Sequence, residues 1–126
     1  MIAFSERILE HYRHPRNCGS LEAPDIRHED VNPLCGDRVR IELALDGDKN
    51  VKEARFRADS CIITAAASSI LTEMVTGWTL TAIEELKPPR LLEALEAEIR
   101  PARLQCALLP LDVLKAGIAS YRHRSP

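Results

Sequence analysis

Cys35, Asp37, Cys61 and Cys106 are the residues of this chain whose types could do chemistry together. Cys35 and Asp37 lie two positions apart on the turn Val31-Asn32-Pro33-Leu34-Cys35-Gly36-Asp37-Arg38. Pro33 fixes φ at the entry, and Gly36 can take a backbone angle that a Cβ resists. Both side chains can then face one space just before a strand begins. A soft thiolate beside a hard carboxylate suits zinc or iron, which accept mixed donors. Cys61 stands at the expected start of a helix, where unpaired N–H groups favour thiolate over thiol. Cys106 follows Pro101-Ala102-Arg103-Leu104-Gln105, with Arg100 and Arg103 as nearby cations. The expectation is that the fold gathers Cys35, Asp37, Cys61 and Cys106 around a metal or a cluster.

Each residue also has a plain structural role open to it. A buried cysteine behaves as a small hydrophobe, Asp37 could cap its turn, and surface arginines are commonly solvated. Cys18, in the turn beside Gly19, reads as incidental. His11, His14, His28 and His123 show no ligand-like spacing, although His28 is near Cys35 in sequence. The cysteines form no Cys-x-x-Cys pair, which excludes a zinc ribbon or a thioredoxin-like site. Only tertiary structure can bring them together.

The elements that must position these residues follow from periodicity. A first helix is expected over Ala3 to Tyr12, ended by Pro15. A short edge strand is expected within Asp25 to Val31. Val39, Ile41, Leu43 and Leu45 alternate with Arg38, Arg40, Glu42 and Ala44, the period of a half-buried strand. Asp46-Gly47-Asp48 turns the chain into a strand from about Val51 to Ala58. Val51 has the wrong parity and is assigned to the turn or a bulge. From Cys61 the period becomes helical, with Ser60 or Asp59 as N-cap and Gly77 as stop. A short helix with Thr81 and Glu84 at capping-box spacing follows, then a helix marked by Leu91, Leu92, Leu95 and Ile99. Pro101 opens a short segment carrying Cys106, and Leu111, Leu114, Ile118 and Tyr121 mark the last helix. The tail from Arg122 to Pro126 is expected to fray. The fold class is α+β, one domain over residues 1–126: a three-stranded antiparallel sheet with about five to six helices packed on it.

Composition narrows the function classes. The chain has 126 residues, 45% of them hydrophobic, enough for a packed core. Five aromatic residues (Phe4, Tyr12, Phe56, Trp78 and Tyr121) make that core aliphatic and argue against a base-stacking surface. A net charge of −2 gives no general attraction to nucleic acid or anionic lipid. No apolar run reaches the ~18 residues that a membrane helix needs. The start lacks a signal-peptide pattern, so a cytoplasmic protein with reduced thiols is expected. No Ser/His/Asp or Cys/His pairing for side-chain catalysis emerges.

Four pieces together resemble the NifU-like scaffold family of iron–sulfur cluster assembly, the IscU and SufU type. They are Glu10-His11-Tyr12-Arg13-His14-Pro15-Arg16-Asn17, Asn32-Pro33-Leu34-Cys35-Gly36-Asp37, Cys61 through Ser69, and Pro101-Ala102-Arg103-Leu104-Gln105-Cys106. They occur in the family's order and span almost the whole chain. The resemblance implies a rim-exposed site that takes sulfur as persulfide from a cysteine desulfurase. With iron it would assemble a transient [2Fe–2S] cluster for recipient apo-proteins. The ligands would be Cys35, Asp37, Cys61 and Cys106, with zinc at the same positions in isolated protein. Asp37, the harder donor, would be the labile ligand, and Cys106 or Cys61 the persulfide acceptor. The alternative within the family is a SufU-type, zinc-dependent sulfur acceptor for a desulfurase. Gln105 stands where the IscU branch has a histidine, and Glu98-Ile99-Arg100-Pro101-Ala102 replaces that branch's chaperone-binding Leu-Pro-Pro-Val-Lys. The 45-residue step from Cys61 to Cys106 is too short for the SufU insertion. Asp59-Ser60 replaces the family's glycine before the middle cysteine.

Overall fold

The computed structural model describes residues 5–34 and 36–124. Cys35 and the helix residues Ala3 and Phe4 named above lie outside the described residues, as do Ser125 and Pro126. The order is α1 (Glu6–Arg13), β1 (Ile26–Val31), β2 (Arg38–Leu45), β3 (Val51–Asp59), α2 (Ile62–Val75), α3 (Leu80–Glu84), α4 (Pro88–Ala94), a 3-10 turn (Pro101–Arg103) and α5 (Leu104–Arg124). This is the α+β class expected: among the described residues, three antiparallel strands in the order β1-β2-β3, with five α-helices.

The sheet is a meander because each connection is short. Asp30 pairs with Val39 and Val31 with Arg38, so the loop joining β1 to β2 spans residues 32–37. Arg38 pairs with Asp59 at the end of β3, which leads directly into α2. The loop between β1 and β2 and the start of α2 therefore meet at one end of the sheet. At the other end the register shifts between Ala44 and Leu45, and this irregularity absorbs the parity of Val51. Asp46 organises the intervening turn by accepting the N–H groups of Asp48 and Asn50, each at 2.9 Å.

Ile26 of β1, Val39, Ile41 and Leu43 of β2, and Val51, Ala54 and Phe56 of β3 form the sheet's part of the core. The core continues into Ile63, Ala66, Ala67, Ile70 and Leu71 of α2 and into Leu111, Leu114 and Ile118 of α5. Helix α2 is buried on most sides, so its inward polar residues need partners, and two of them bond to the helix itself. Ser68 Oγ donates to Thr64 O and Thr72 Oγ1 to Ser68 O, both at 2.9 Å. These bonds let hydroxyls sit inside without orphaned donors. Helix α1 is pinned to α2 by the buried His11, whose Nδ1 lies 2.7 Å from Ser69 Oγ. Arg16 N–H donates to the same oxygen at 2.8 Å. Burial, reinforced by the Arg16 and Arg7 charges, holds the His11 imidazole below its ordinary pKa.

Several boundaries differ from the sequence expectation. The N-cap of α1 is Ser5, whose Oγ accepts Ile8 N–H, so that helix begins at Glu6. The N-cap of α2 is Cys61 itself, not Ser60 or Asp59. Helix α3 is capped by Thr79, which accepts Ala82 N–H, so Thr81 and Glu84 form no capping box. Helix α4 starts at Pro88 and stops before Glu96, whose φ of 54° ends it, leaving Ile99 outside. The segment with Cys106 and the last helix are one element, because α5 runs through Pro110. Arg122 does not fray: its Nε and Glu84 Oε2 are 2.7 Å apart.

Candidate metal centre

Three elements converge at the open end of the sheet. Asp37 is the last residue of the loop between β1 and β2. Gly36 just before it has φ of 76°, a value that favours glycine. The loop is closed by its own hydrogen bonds. Asn32 N–H donates to Asp37 O at 2.8 Å, and Gly36 N–H to Asn32 O at 2.7 Å. Asn32 Oδ1 also accepts Leu34 N–H at 3.0 Å. Asp37 is thereby turned inward and only 5% exposed.

Cys61 contributes from the N-cap of α2 and Cys106 from the first turn of α5. The ligand atoms of Asp37, Cys61 and Cys106 all lie within 4.8 Å of one another. Cys61 N–H donates to Asp37 Oδ1 at 3.2 Å, and Cys61 Sγ lies 3.7 Å from Oδ2. The carboxylate thus occupies the place of a helix-capping side chain, supplied from another element. Tetrahedral zinc, with Zn–S of about 2.3 Å, places neighbouring donors about 3.7 Å apart. The Cys61–Asp37 pair already has that separation. The remaining donors need to draw in by roughly 1 Å, within reach of side-chain rotation. Two sulfurs and one carboxylate oxygen therefore fit a thiophilic ion.

Two further residues shape the site. The Arg103 guanidinium has its pKa raised by a hydrogen bond to Cys106 and by the charges of Cys61 and Cys106. Arg103 itself is exposed and places its charge beside the two cysteines. An open cleft of about 500 Å³ is lined by Asn32, Leu34, Pro101, Arg103, Gln105 and Cys106, among others. Cys106 is 3% exposed, yet it belongs to that lining. Leu34 stands at the rim, 85% exposed.

Thr64 was not singled out by the sequence. It is fully buried, and its Oγ1 donates toward Asp37 Oδ2 at 2.8 Å and toward Cys106 O at 3.0 Å. Its position three residues after Cys61 puts both on one helix face, a signal that spacing does carry. Cys18 is exposed and bridges the edge of β3 at Phe56. His28 sits on β1 against Gly117 of α5 and is not among the gathered donors. No helix among the described residues is long and apolar enough to cross a membrane.

Known proteins resemble this chain over nearly its whole length. Residues 3–126 match the family described as NifU-like N terminal domain. The chain is 32% identical over 126 residues to the iron–sulfur cluster assembly scaffold protein IscU of Azotobacter vinelandii, covering 98% of this chain and 97% of that protein. It is 33% identical over 127 residues to the protein of the same name from Haemophilus influenzae, covering 96% and 97%. Among solved structures, a NifU-like protein (N-terminal) from Brucella abortus superposes with a TM-score of 0.77 at 23% identity, covering 97% of this chain and 96% of that one. A candidate scaffold of the SUF system from Fervidobacterium islandicum gives 0.75 at 22% identity, covering 91% and 96%. These two likenesses bear on the fold.

Proposed function

The chain belongs to the family of NifU-like N-terminal domains, and from that premise we propose that it is an iron–sulfur cluster assembly scaffold. The observation that carries the reading is the convergence of Asp37, Cys61 and Cys106 from three separate elements within 4.8 Å. Cys35, the residue before Gly36 in the sequence, is the fourth donor in this reading. Iron and persulfide sulfur are its substrates, an external thiol or electron donor reduces that sulfur to sulfide, and a transient [2Fe–2S] cluster is what it hands on to recipient apo-proteins. Such a cluster needs four protein donors, the number this set provides. Zinc takes the same four positions in isolated protein, since it accepts thiolate and carboxylate in one tetrahedron. The protein is a scaffold and sulfur acceptor, working in the cytoplasm, where thiols stay reduced.

Sulfur arrives as a persulfide on a cysteine desulfurase. A thiolate of the scaffold attacks the outer sulfur of that persulfide. A new S–S bond forms, the old one breaks, and the desulfurase thiolate leaves. Cys106 and Cys61 are the candidate acceptors. The cleft favours Cys106, because Cys106 and Arg103 line it together and the guanidinium can meet an incoming anionic sulfur. Cys61 remains to hold iron beside Asp37. Asp37 is the exchangeable ligand, as the harder donor of the set.

Anaerobic reconstitution with ferrous iron, a desulfurase generating sulfur from cysteine, and dithiothreitol to reduce persulfide sulfur to sulfide tests the reading. Thiolate-to-iron charge-transfer absorption is expected. A colourless product after thorough zinc removal refutes it. The second reading, a zinc-dependent sulfur acceptor of the SufU type, draws support from Gln105 beside Cys106, an amide and a poor metal donor. Tight zinc, strong activation of the desulfurase and no cluster decide for that reading.

A further inference from the structure

Thr64 has one hydroxyl proton and two oxygen acceptors in range. Asp37 Oδ2 is 2.8 Å away and Cys106 O is 3.0 Å away. One proton cannot serve both at full strength. The second acceptor exists for a definite reason. In an unbroken helix the Cys106 carbonyl would take the N–H of residue 110. That residue is Pro110, inside α5, and proline has no N–H to give. The interruption of α5 thus leaves a carbonyl lone pair for the buried hydroxyl of α2. Thr64 Oγ1 also lies 3.5 Å from Cys61 Sγ, so this hydroxyl touches three of the site's residues.

We propose that Thr64 is a two-position latch on the Asp37 arm, a positioning residue that sets how readily this carboxylate leaves the site. With the proton on Asp37 Oδ2, the carboxylate is held by Thr64 from one side and by Cys61 N–H from the other. With the proton turned to Cys106 O, Asp37 loses the Thr64 bond and is held less firmly, by Cys61 N–H and its other contacts. The turn strands no buried donor, because the Pro110 break supplies the alternative partner. Hydroxyl rotation is fast, so the latch adds no slow step of its own. The inference rests on the scaffold reading, since it assigns Asp37 the exchangeable place.

The test compares Thr64→Val, which keeps the shape and removes the proton, with Thr64→Ser, which keeps the proton. Each protein is loaded with Zn(II), and transfer of the ion to a chromogenic chelator is timed. Thr64→Val is expected to speed transfer about tenfold, equivalent to about 1.4 kcal/mol. Thr64→Ser is expected to stay within about twofold of the parent, and Thr64→Val made on Asp37→Ala to add nothing further. In metal-free protein the Cys61 amide should exchange its hydrogen faster in Thr64→Val and not in Thr64→Ser. An unchanged transfer rate in Thr64→Val overturns the latch. So does an acceleration that persists on Asp37→Ala, because Thr64 then acts through helix packing. If the valine variant loses its helical circular dichroism, Thr64→Ala against Thr64→Ser makes the same comparison. Failure of the parent to take up Zn(II) overturns the scaffold reading instead, and the metal-free exchange measurement still judges the latch.

Discussion

Asp37→Ala should have two separable consequences, small without metal and large with it. In the metal-free protein the carboxylate accepts Cys61 N–H at 3.2 Å and Thr64 Oγ1–H at 2.8 Å. A hydrogen bond to a charged group contributes about 1.5–3 kcal/mol. Two terms offset that loss. Asp37 is 5% exposed, so its removal returns the cost of desolvating a carboxylate. Thr64 keeps Cys106 O as an acceptor at 3.0 Å. The Cys61 N–H, at a half-buried helix start that water can reach, loses its acceptor, and the net cost is about 1 kcal/mol. For a chain of this length that is about 4 °C in Tm. With metal the account changes. Losing a mere outer partner of a ligand costs about 10–100-fold in affinity, so losing a donor costs at least about the upper end of that range. Zn(II) at about 1,000 times the parent's Kd stabilises it by about 4.1 kcal/mol; for a hundredfold weaker variant the figure is about 1.4 kcal/mol. The zinc-induced rise in Tm should then be smaller by about 10 °C in Asp37→Ala. Thermal unfolding followed by far-UV circular dichroism, with and without Zn(II), measures both effects on the same samples. A variant that keeps the parent's full zinc-induced shift refutes the placement of Asp37 among the donors.

Arg103→Gln should leave Tm unchanged, since the side chain is exposed, and slow sulfur uptake from a persulfide donor several-fold; equal rates for variant and parent would remove Arg103 from the transfer step. His11 is held below its ordinary pKa, so the unfolded chain binds that proton first as pH falls. Its contribution to stability is therefore full above about pH 6.5 and is lost as pH drops below that value towards the folded-state pKa. Melting curves between pH 7 and 5 should show the loss, and His11→Gln should flatten part of the slope while lowering stability throughout. Gly117→Val should cost about 1–3 kcal/mol, because a Cβ there would already lie 3.1 Å from both Ile26 Cγ2 and His28 Cβ where α5 crosses β1. Urea unfolding checks this last value, and a neutral result would mean that α5 can move on the sheet.

The local elements were legible because each is written in its own stretch of chain. The alternation from Arg38 to Leu45 is strand β2, and the shift to helical spacing after Cys61 is α2. The Pro33–Gly36 turn announced a loop that aims a side chain, and Asp37 is turned inward there. The errors fell where a local rule met a distant partner. Ser60 and Asp59 are the better capping types, yet Cys61 caps α2 by position while Asp37, from the loop between β1 and β2, accepts its N–H. The Cys106 segment and the last helix read as separate pieces in the sequence, and Pro110 costs a helix spanning them one hydrogen bond. Here α5 runs through it, since both sides of the break are packed and Thr64 takes up the carbonyl that the proline leaves.

By itself, then, the sequence determined which donors the protein owns and on which kinds of element they stand, because residue type and periodicity are properties of neighbours along the chain. Tertiary structure alone decided that Asp37, Cys61 and Cys106 share one space, that Arg103 places its charge beside the two cysteines, and that Thr64 stands between the carboxylate and the Cys106 carbonyl. Distances between residues far apart in the chain are set by how α2 and α5 pack on the sheet, and that packing is a sum over the whole core.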